Sequence, residues 1–163
     1  LPQLLYNVPS RTGVDMENIT VMELSAVKNI VGIKDATGDI SRIRSLKKEI
    51  NSNFSFISGD DLSFTEFLEE GGSGVISVTA NVKPFEMHKI TTLIKNKNLL
   101  EAKQLNSKLD LLHQAMFIES NPIPVKWMLA NMGVIQPFMR LPMVQLHKDN
   151  ESYVLKALEK ANA

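Results

Sequence analysis

The chain predicts an α/β fold built on a parallel sheet, and three observations carry that expectation. Short apolar runs bounded by Gly, Pro or Asp alternate with stretches whose apolar residues recur at helical spacing. The short runs lack a strict two-residue alternation, as strands of a buried parallel sheet do. After Asn98 the short runs stop and only helical periodicity continues. Residues 1–98 therefore read as four β-α units, and residues 99–163 as a three-helix C-terminal tail.

The elements follow in order. Leu4 to Val8 is a first strand, closed by Pro9, which has no amide proton for a ladder. Ile19, Met22 and Ala26 then mark a helix, with Thr20 and Glu23 in capping-box spacing. Ile30 to Lys34 is the second strand. The following helix carries Ile40, Ile43, Leu46 and Ile50 on one face, with Asp39 as its N-cap. Phe54 to Ile57 is the third strand, stopped by Ser58-Gly59. Ser63 and Glu66 form a second capping-box pattern, and that helix ends at Gly71-Gly72. Val75 to Thr79 is the fourth strand, and Pro84 opens a helix at a favourable first position. In the tail, Leu99, Ala102, Leu105, Leu109, Leu112 and Met116 trace one long helix. Asn121-Pro122-Ile123-Pro124 interrupts it, Val125 to Met132 forms a shorter helix closed by Gly133, and the last helix covers Tyr153 to Lys160.

Composition narrows the function classes. Eighteen basic and eighteen acidic residues give a formal net charge of zero, which argues against nucleic-acid and membrane-surface binding. No apolar stretch is long enough to span a bilayer. With no cysteine, disulfides and thiolate chemistry are excluded, and a reducing, cytoplasmic setting fits. His88, His113 and His147 lack ligand spacing, so no metal site is expected, and both helical histidines are expected at surface or core-edge positions. Gly71-Gly72-Ser73-Gly74 precedes a strand rather than following one, the wrong context for a phosphate loop. The chain opens directly into a strand, without an initiator Met or a leader, and reads as beginning inside a longer polypeptide.

In parallel β-α architectures chemistry sits at the carboxyl ends of the strands. Lys34 ends the second strand. Burial disfavours an ammonium, and a neutral amine is a nucleophile suited to forming a Schiff base with a carbonyl. The alternative is a lysine whose head has already reached solvent. Tyr6, at the end of the first strand, offers a phenol for proton transfer, or is simply a strand residue. Arg11 offers a two-pronged carboxylate grip, or is a solvated loop charge. Asp60 and Asp61 precede a helix and are expected to cap it. Four β-α units are half of the eight that close a (β/α)8 barrel. Left alone, such a sheet exposes strand edges and one face.

The chemistry-bearing segments carry a resemblance. Tyr6-Asn7-Val8-Pro9-Ser10-Arg11-Thr12-Gly13 is followed by Gly32-Ile33-Lys34-Asp35-Ala36-Thr37-Gly38 and Ser58-Gly59-Asp60-Asp61. Then come Gly74-Val75-Ile76-Ser77-Val78-Thr79-Ala80-Asn81, Asn121-Pro122-Ile123-Pro124-Val125-Lys126 and Arg140-Leu141-Pro142. In that order they resemble the dihydrodipicolinate synthase family of class I pyruvate-dependent aldolases, over essentially the whole chain. The resemblance implies the C-terminal half of a (β/α)8 TIM barrel, four β-α units, followed by the helical tail. It implies Lys34 as the Schiff-base residue for pyruvate and Tyr6 as proton relay. It implies Arg11 as holder of the aspartate semialdehyde carboxylate, with Gly59 and Ile76 lining the pyruvate pocket. No cofactor is implied, because the lysine itself supplies the electron sink. The complete protein is expected to be a homo-oligomer, tetramer or dimer. The family's threonine pair and second tyrosine belong to the other half of its fold, so this polypeptide by itself is expected to lack turnover. Arg11 weighs against the sister readings, an N-acetylneuraminate lyase or a 2-keto-3-deoxy-sugar-acid aldolase. A non-catalytic half-barrel is the remaining alternative.

Overall fold

A computed structural model describes residues 1–50 and 53–162. The chain forms two compact units, one from Leu1 to Ser77 and one from Val78 onward. In the first, strands β1 (Gln3–Asn7), β2 (Ile30–Asp35), β3 (Ser55–Ser58) and β4 (Gly74–Val75) form a parallel sheet in the order β1-β2-β3-β4. The connections carry α1 (Pro9–Thr12), α2 (Asn18–Ser25), α3 (Ile40–Glu49) and α4 (Phe64–Glu69). In register, Tyr6 lies beside Lys34 and Asn7 beside Asp35, and Lys34 lies beside Ile57 of β3.

Side chains alternate across a strand, so consecutive residues serve opposite faces. Ile33 is fully buried and packs with Val21 of α2 and with Ile43 and Leu46 of α3; Ile50, Phe54, Phe56 and Phe67 complete this cluster. Asp35, two residues on from Ile33, faces the same helices. Lys34 faces the other way, with Tyr6 and Leu4. That second face is open: Leu4 is 46% and Tyr6 48% exposed. The uncovered face expected of a four-unit sheet is present, and β1 forms its edge.

Local chemistry explains most boundaries. Asp39 accepts a 2.9 Å bond from the Ser41 amide and caps α3 as expected. Gly71, at φ +90°, takes the left-handed position after α4. Three expectations need correction. The Thr20–Glu23 capping box is not used, because α2 starts at Asn18 and Thr20 lies inside it. Ser63 precedes α4 but caps nothing; its hydroxyl donates to Asp60 Oδ2 at 2.6 Å instead. The fourth strand is only Gly74–Val75. Beyond one further rung, from the Ile76 amide to the Ser58 carbonyl (2.9 Å), the backbone turns into a 3-10 turn over Thr79–Asn81. There the Val82 and Lys83 amides both bond the Thr79 carbonyl, and local bonds replace the ladder.

The second unit is helical: the 3-10 turn, α5 (Pro84–Lys95), α6 (Leu99–Ala115), α7 (Ile123–Asn131) and α8 (Lys148–Asn162). Helix α5, expected with the β-α units, clusters with this unit and packs on α6 and the 3-10 turn. Its core takes Met87 and Ile90 from α5, Leu109 and Leu112 from α6, and Val154 and Ala157 from α8. His113 corrects the surface or core-edge expectation. It is fully buried, with Nδ1 2.8 Å from Thr79 Oγ1 and Nε2 3.3 Å from Asn106 Oδ1. Among the described residues no helix is long and apolar enough to cross a membrane.

Candidate active site

The site is built on the open sheet face, at the carboxyl ends of the strands. Lys34 leaves β2 on that face, and its Nζ lies 4.1 Å from the centre of the Tyr6 ring on β1. Parallel register makes these two residues direct neighbours, so the contact follows from strand pairing and not from a flexible reach. An ammonium over a ring face is electrostatically favourable. The pairing therefore holds the amine near the phenol and pins an otherwise flexible side chain.

Gly59 follows β3, and its amide donates to the Asp35 carbonyl at 2.7 Å. A methyl group on Gly59 would sit 2.8 Å from Lys34 Cε, 2.9 Å from Ala36 Cβ and 3.2 Å from Lys34 Cγ. The absence of a side chain here is what gives the Lys34 stem its channel. Of the five expected site residues, Lys34 thus stands between two others, the Tyr6 ring on its β1 side and Gly59 on its β3 side. Arg11 lies on α1 beyond the end of β1 and is exposed. Ile76 directly follows β4 and is 50% exposed. Both stand at strand carboxyl ends on the same rim. A cavity of about 490 Å³ opens beside Tyr6, lined also by Asn7, Thr12, Asp15, Met16 and Glu17.

Asp60 Oδ2 accepts bonds from the Ser63 amide (2.9 Å) and hydroxyl (2.6 Å). Its carboxylate thereby orders the turn before α4; α4 itself starts after Ser63 without a side-chain cap, so the expected capping of the helix by Asp60 and Asp61 is corrected to a bracing of the preceding turn.

Beneath the rim lies a polar cluster that spacing did not single out. Asp35 is 7% exposed. Its Oδ1 accepts from the Thr37 amide (2.9 Å) and hydroxyl (2.6 Å), and its Oδ2 from Arg42 Nε (2.9 Å). A carboxylate with three donors, one of them cationic, tolerates burial. Asn7, 2% exposed, donates to Asp15 Oδ1 at 2.7 Å and accepts from the Met16 amide at 3.0 Å. The one signal for this cluster in the sequence is an acid ending an apolar strand, with an arginine in the first turn of the next helix.

Chemically, the arrangement offers an amine nucleophile, a phenol at its side, a cavity beside that phenol, and a guanidinium farther along the rim. Among the described residues no group of side chains suited to hold a metal ion is found.

Comparison with known proteins points the same way. A family model described as the dihydrodipicolinate synthetase family matches residues 1–161. A 4-hydroxy-tetrahydrodipicolinate synthase from Thioalkalivibrio sulfidiphilus is 49% identical over 161 residues, covering 99% of this chain and 55% of that protein. The crystal structure of the dihydrodipicolinate synthase of Acinetobacter baumannii, complexed with pyruvate, superposes with a TM-score of 0.96 at 45% identity. It covers 99% of this chain and 56% of that one. The synthase of Methylacidiphilum fumariolicum gives a TM-score of 0.96 at 39% identity, over 99% and 54% of the two chains. The chain thus spans about half the length of the curated relatives it matches, and its fold is that of a partial barrel with a helical tail.

Proposed function

Since the chain belongs to the dihydrodipicolinate synthetase family, we propose that it carries the Schiff-base half of an aldolase site. In this reading the complete protein condenses pyruvate with aspartate 4-semialdehyde to 4-hydroxy-tetrahydrodipicolinate. The step belongs to diaminopimelate and lysine biosynthesis in the cytoplasm. The single observation that carries the reading is the Lys34 amine, held 4.1 Å from the Tyr6 ring beside a position where only glycine fits.

The chemistry follows from those groups. Lys34 Nζ attacks the ketone carbon of pyruvate, and loss of water gives an imine. The imine draws electrons from the adjacent methyl, which loses a proton to become an enamine. The enamine carbon adds to the aldehyde of aspartate semialdehyde, and Tyr6 delivers the proton that the new alkoxide takes up. The amino group of the adduct then attacks the imine carbon and expels the Lys34 amine, which closes the ring and frees the enzyme. Arg11 grips the semialdehyde carboxylate, and Gly59 and Ile76 border the pyruvate. No cofactor enters, because the iminium is the electron sink.

Borohydride reduction of the complete polypeptide in the presence of labelled pyruvate, followed by peptide mapping, tests the assignment. Label on Lys34 is expected; label on another lysine, or none, overturns it. A substrate panel separates condensation with aspartate semialdehyde from the cleavage of sugar acids that the sister aldolases perform. The isolated 163-residue chain is expected to show no turnover, and turnover near that of a complete relative would refute the half-site reading. For the complete protein we also propose a homo-oligomer, supported by Phe117, Phe138, Leu141 and Val144, each at least 43% exposed. Sedimentation of the complete protein decides it, and a stable monomer would refute it.

A further inference from the structure

The segment that carries Arg11 is tied down at both ends. It leaves β1 at Asn7 and returns at Asp15 and Met16. At its start, the Arg11 and Thr12 amides bond the Val8 carbonyl at 2.9 and 3.1 Å. At its return, both backbone groups of Met16 are held. Its amide donates to Asn7 Oδ1 (3.0 Å), and its carbonyl accepts from Arg42 Nη2 (2.6 Å). Asp15 is held by Asn7 Nδ2 at 2.7 Å, and lies 3.6 Å from Arg42 Nη1. The third arm of the Arg42 fork, Nε, bonds Asp35 Oδ2 at 2.9 Å, and Asp35 follows Lys34 on β2.

A planar guanidinium with donors in a fixed fork is suited to this task. One side chain from α3 joins the end of β2 to the return of the β1–α2 segment. Asn7 joins that return to the end of β1. Both are shielded, Asn7 at 2% exposure and the Arg42 side chain at 11%. Their bonds to Asp35 and to the Met16 backbone are therefore little weakened by water, whereas Asp15, with its side chain 55% exposed, is the open end of the cluster. Arg11 itself is exposed, on a helix of one turn. A helix that short does not hold its own position.

We infer that Asn7, Asp15 and Arg42 form a clasp that positions Arg11 relative to Lys34, and so set the affinity for the second substrate without touching it. This rests on the reading of Lys34 and Arg11 proposed above. Opening the clasp loosens the segment that carries Arg11 and leaves Lys34 on its strand. The second substrate's KM then rises while imine formation is unchanged. A purely structural role moves both together, through loss of folded protein.

The test uses the complete polypeptide and a donor–acceptor exchange. Asn7→Asp keeps the acceptor for the Met16 amide but sets a second carboxylate against Asp15. Asp15→Asn in the same chain restores one donor and one acceptor, with the polarity reversed and the cluster's net charge back at the parent value. Asn7→Asp is expected to raise the KM for aspartate semialdehyde about tenfold, with the rate of pyruvate trapping on Lys34 within about twofold of the parent. The double variant is expected to recover most of that loss. Amide hydrogen exchange should quicken from Arg11 to Met16 in the single variant and slow again in the double, with β2 unchanged. A single variant in which trapping and KM deteriorate together, or a double variant no better than the single, overturns the clasp. A parent that carries no label on Lys34 overturns the reading of the site, and the clasp's role with it.

Discussion

Replacing Gly59 with alanine is the most direct perturbation of the proposed nucleophile that leaves the nucleophile itself in place. Gly59 is not among the positive-φ glycines, so the substitution acts through space and not through backbone strain. The new methyl would lie 2.8 Å from Lys34 Cε and 2.9 Å from Ala36 Cβ. Carbon atoms rest at about 3.5–4.0 Å, so the Lys34 stem must retreat by roughly 0.7–1.2 Å at Cε to accommodate it. The lysine stem can swing and Ala36 cannot, so the two clashes part company. Relief at Cε pushes the stem away from the β3 side, toward β1, and displaces the amine from its 4.1 Å position over the Tyr6 ring, while the contact at Ala36 remains as overpacking. The second term is expected to cost about 1–3 kcal/mol of stability. The first displaces the attacking atom by about 1 Å, enough to slow a positioned reaction on the order of a hundredfold. Two measurements on the complete polypeptide separate them: urea unfolding for stability, and borohydride trapping of pyruvate under conditions where both proteins are fully folded. Trapping at the parent rate with parent stability would refute the crowding argument at its root. Lost stability with unchanged trapping would refute the claim that this glycine keeps the amine's channel.

Two further outcomes are expected. Asp39→Ala removes the cap of α3 and should lower stability by about 1 kcal/mol near neutral pH, read by chemical denaturation. Bonds from Ser41, hydroxyl and then amide, hold the Asp39 carboxyl below its ordinary value of 3.8. Its contribution is therefore present above that value and is lost as pH falls through the lowered one, so the variant and parent should converge in acid. An undiminished gap there would contradict the assignment. Thr79→Val keeps the shape of a fully buried side chain but removes the hydroxyl 2.8 Å from His113 Nδ1. A cost of about 1–3 kcal/mol is expected in the same assay, and none at all would show that the pair contributes nothing.

Much of the fold is legible in the chain because its signals are local. The apolar run Ile30 to Asp35 can only be a short strand, since its flanks are turn and cap residues. Asp39 before Ile40, Ile43 and Leu46 announces α3 at its first residue. Where local signals mislead, a nearby group competes for the same atom. Ser63 has the form of a cap, but Asp60 takes its hydroxyl. Val75 to Thr79 has the composition of a strand, but Thr79 is spent on the 3-10 turn and on His113. The same holds for the site. Lys34 and Tyr6 are visible as an amine and a phenol at strand ends. That they touch depends on register, which a single strand's sequence does not contain.

The sequence by itself determined that an amine and a phenol stand at strand ends, how many β-α units there are, and to which family the chain belongs. These depend on residue type, on periodicity and on motifs that survive in one dimension. Tertiary structure alone decided that Lys34 and Asp35 serve opposite faces with opposite partners. The amine meets the Tyr6 ring on the open side, and the carboxylate meets Arg42 against the helices. It alone decided that Gly59 is a matter of space and that His113 is buried. The physical reason is common to all of these. Each depends on a contact between residues far apart in the chain, formed only once strands have paired and helices have packed.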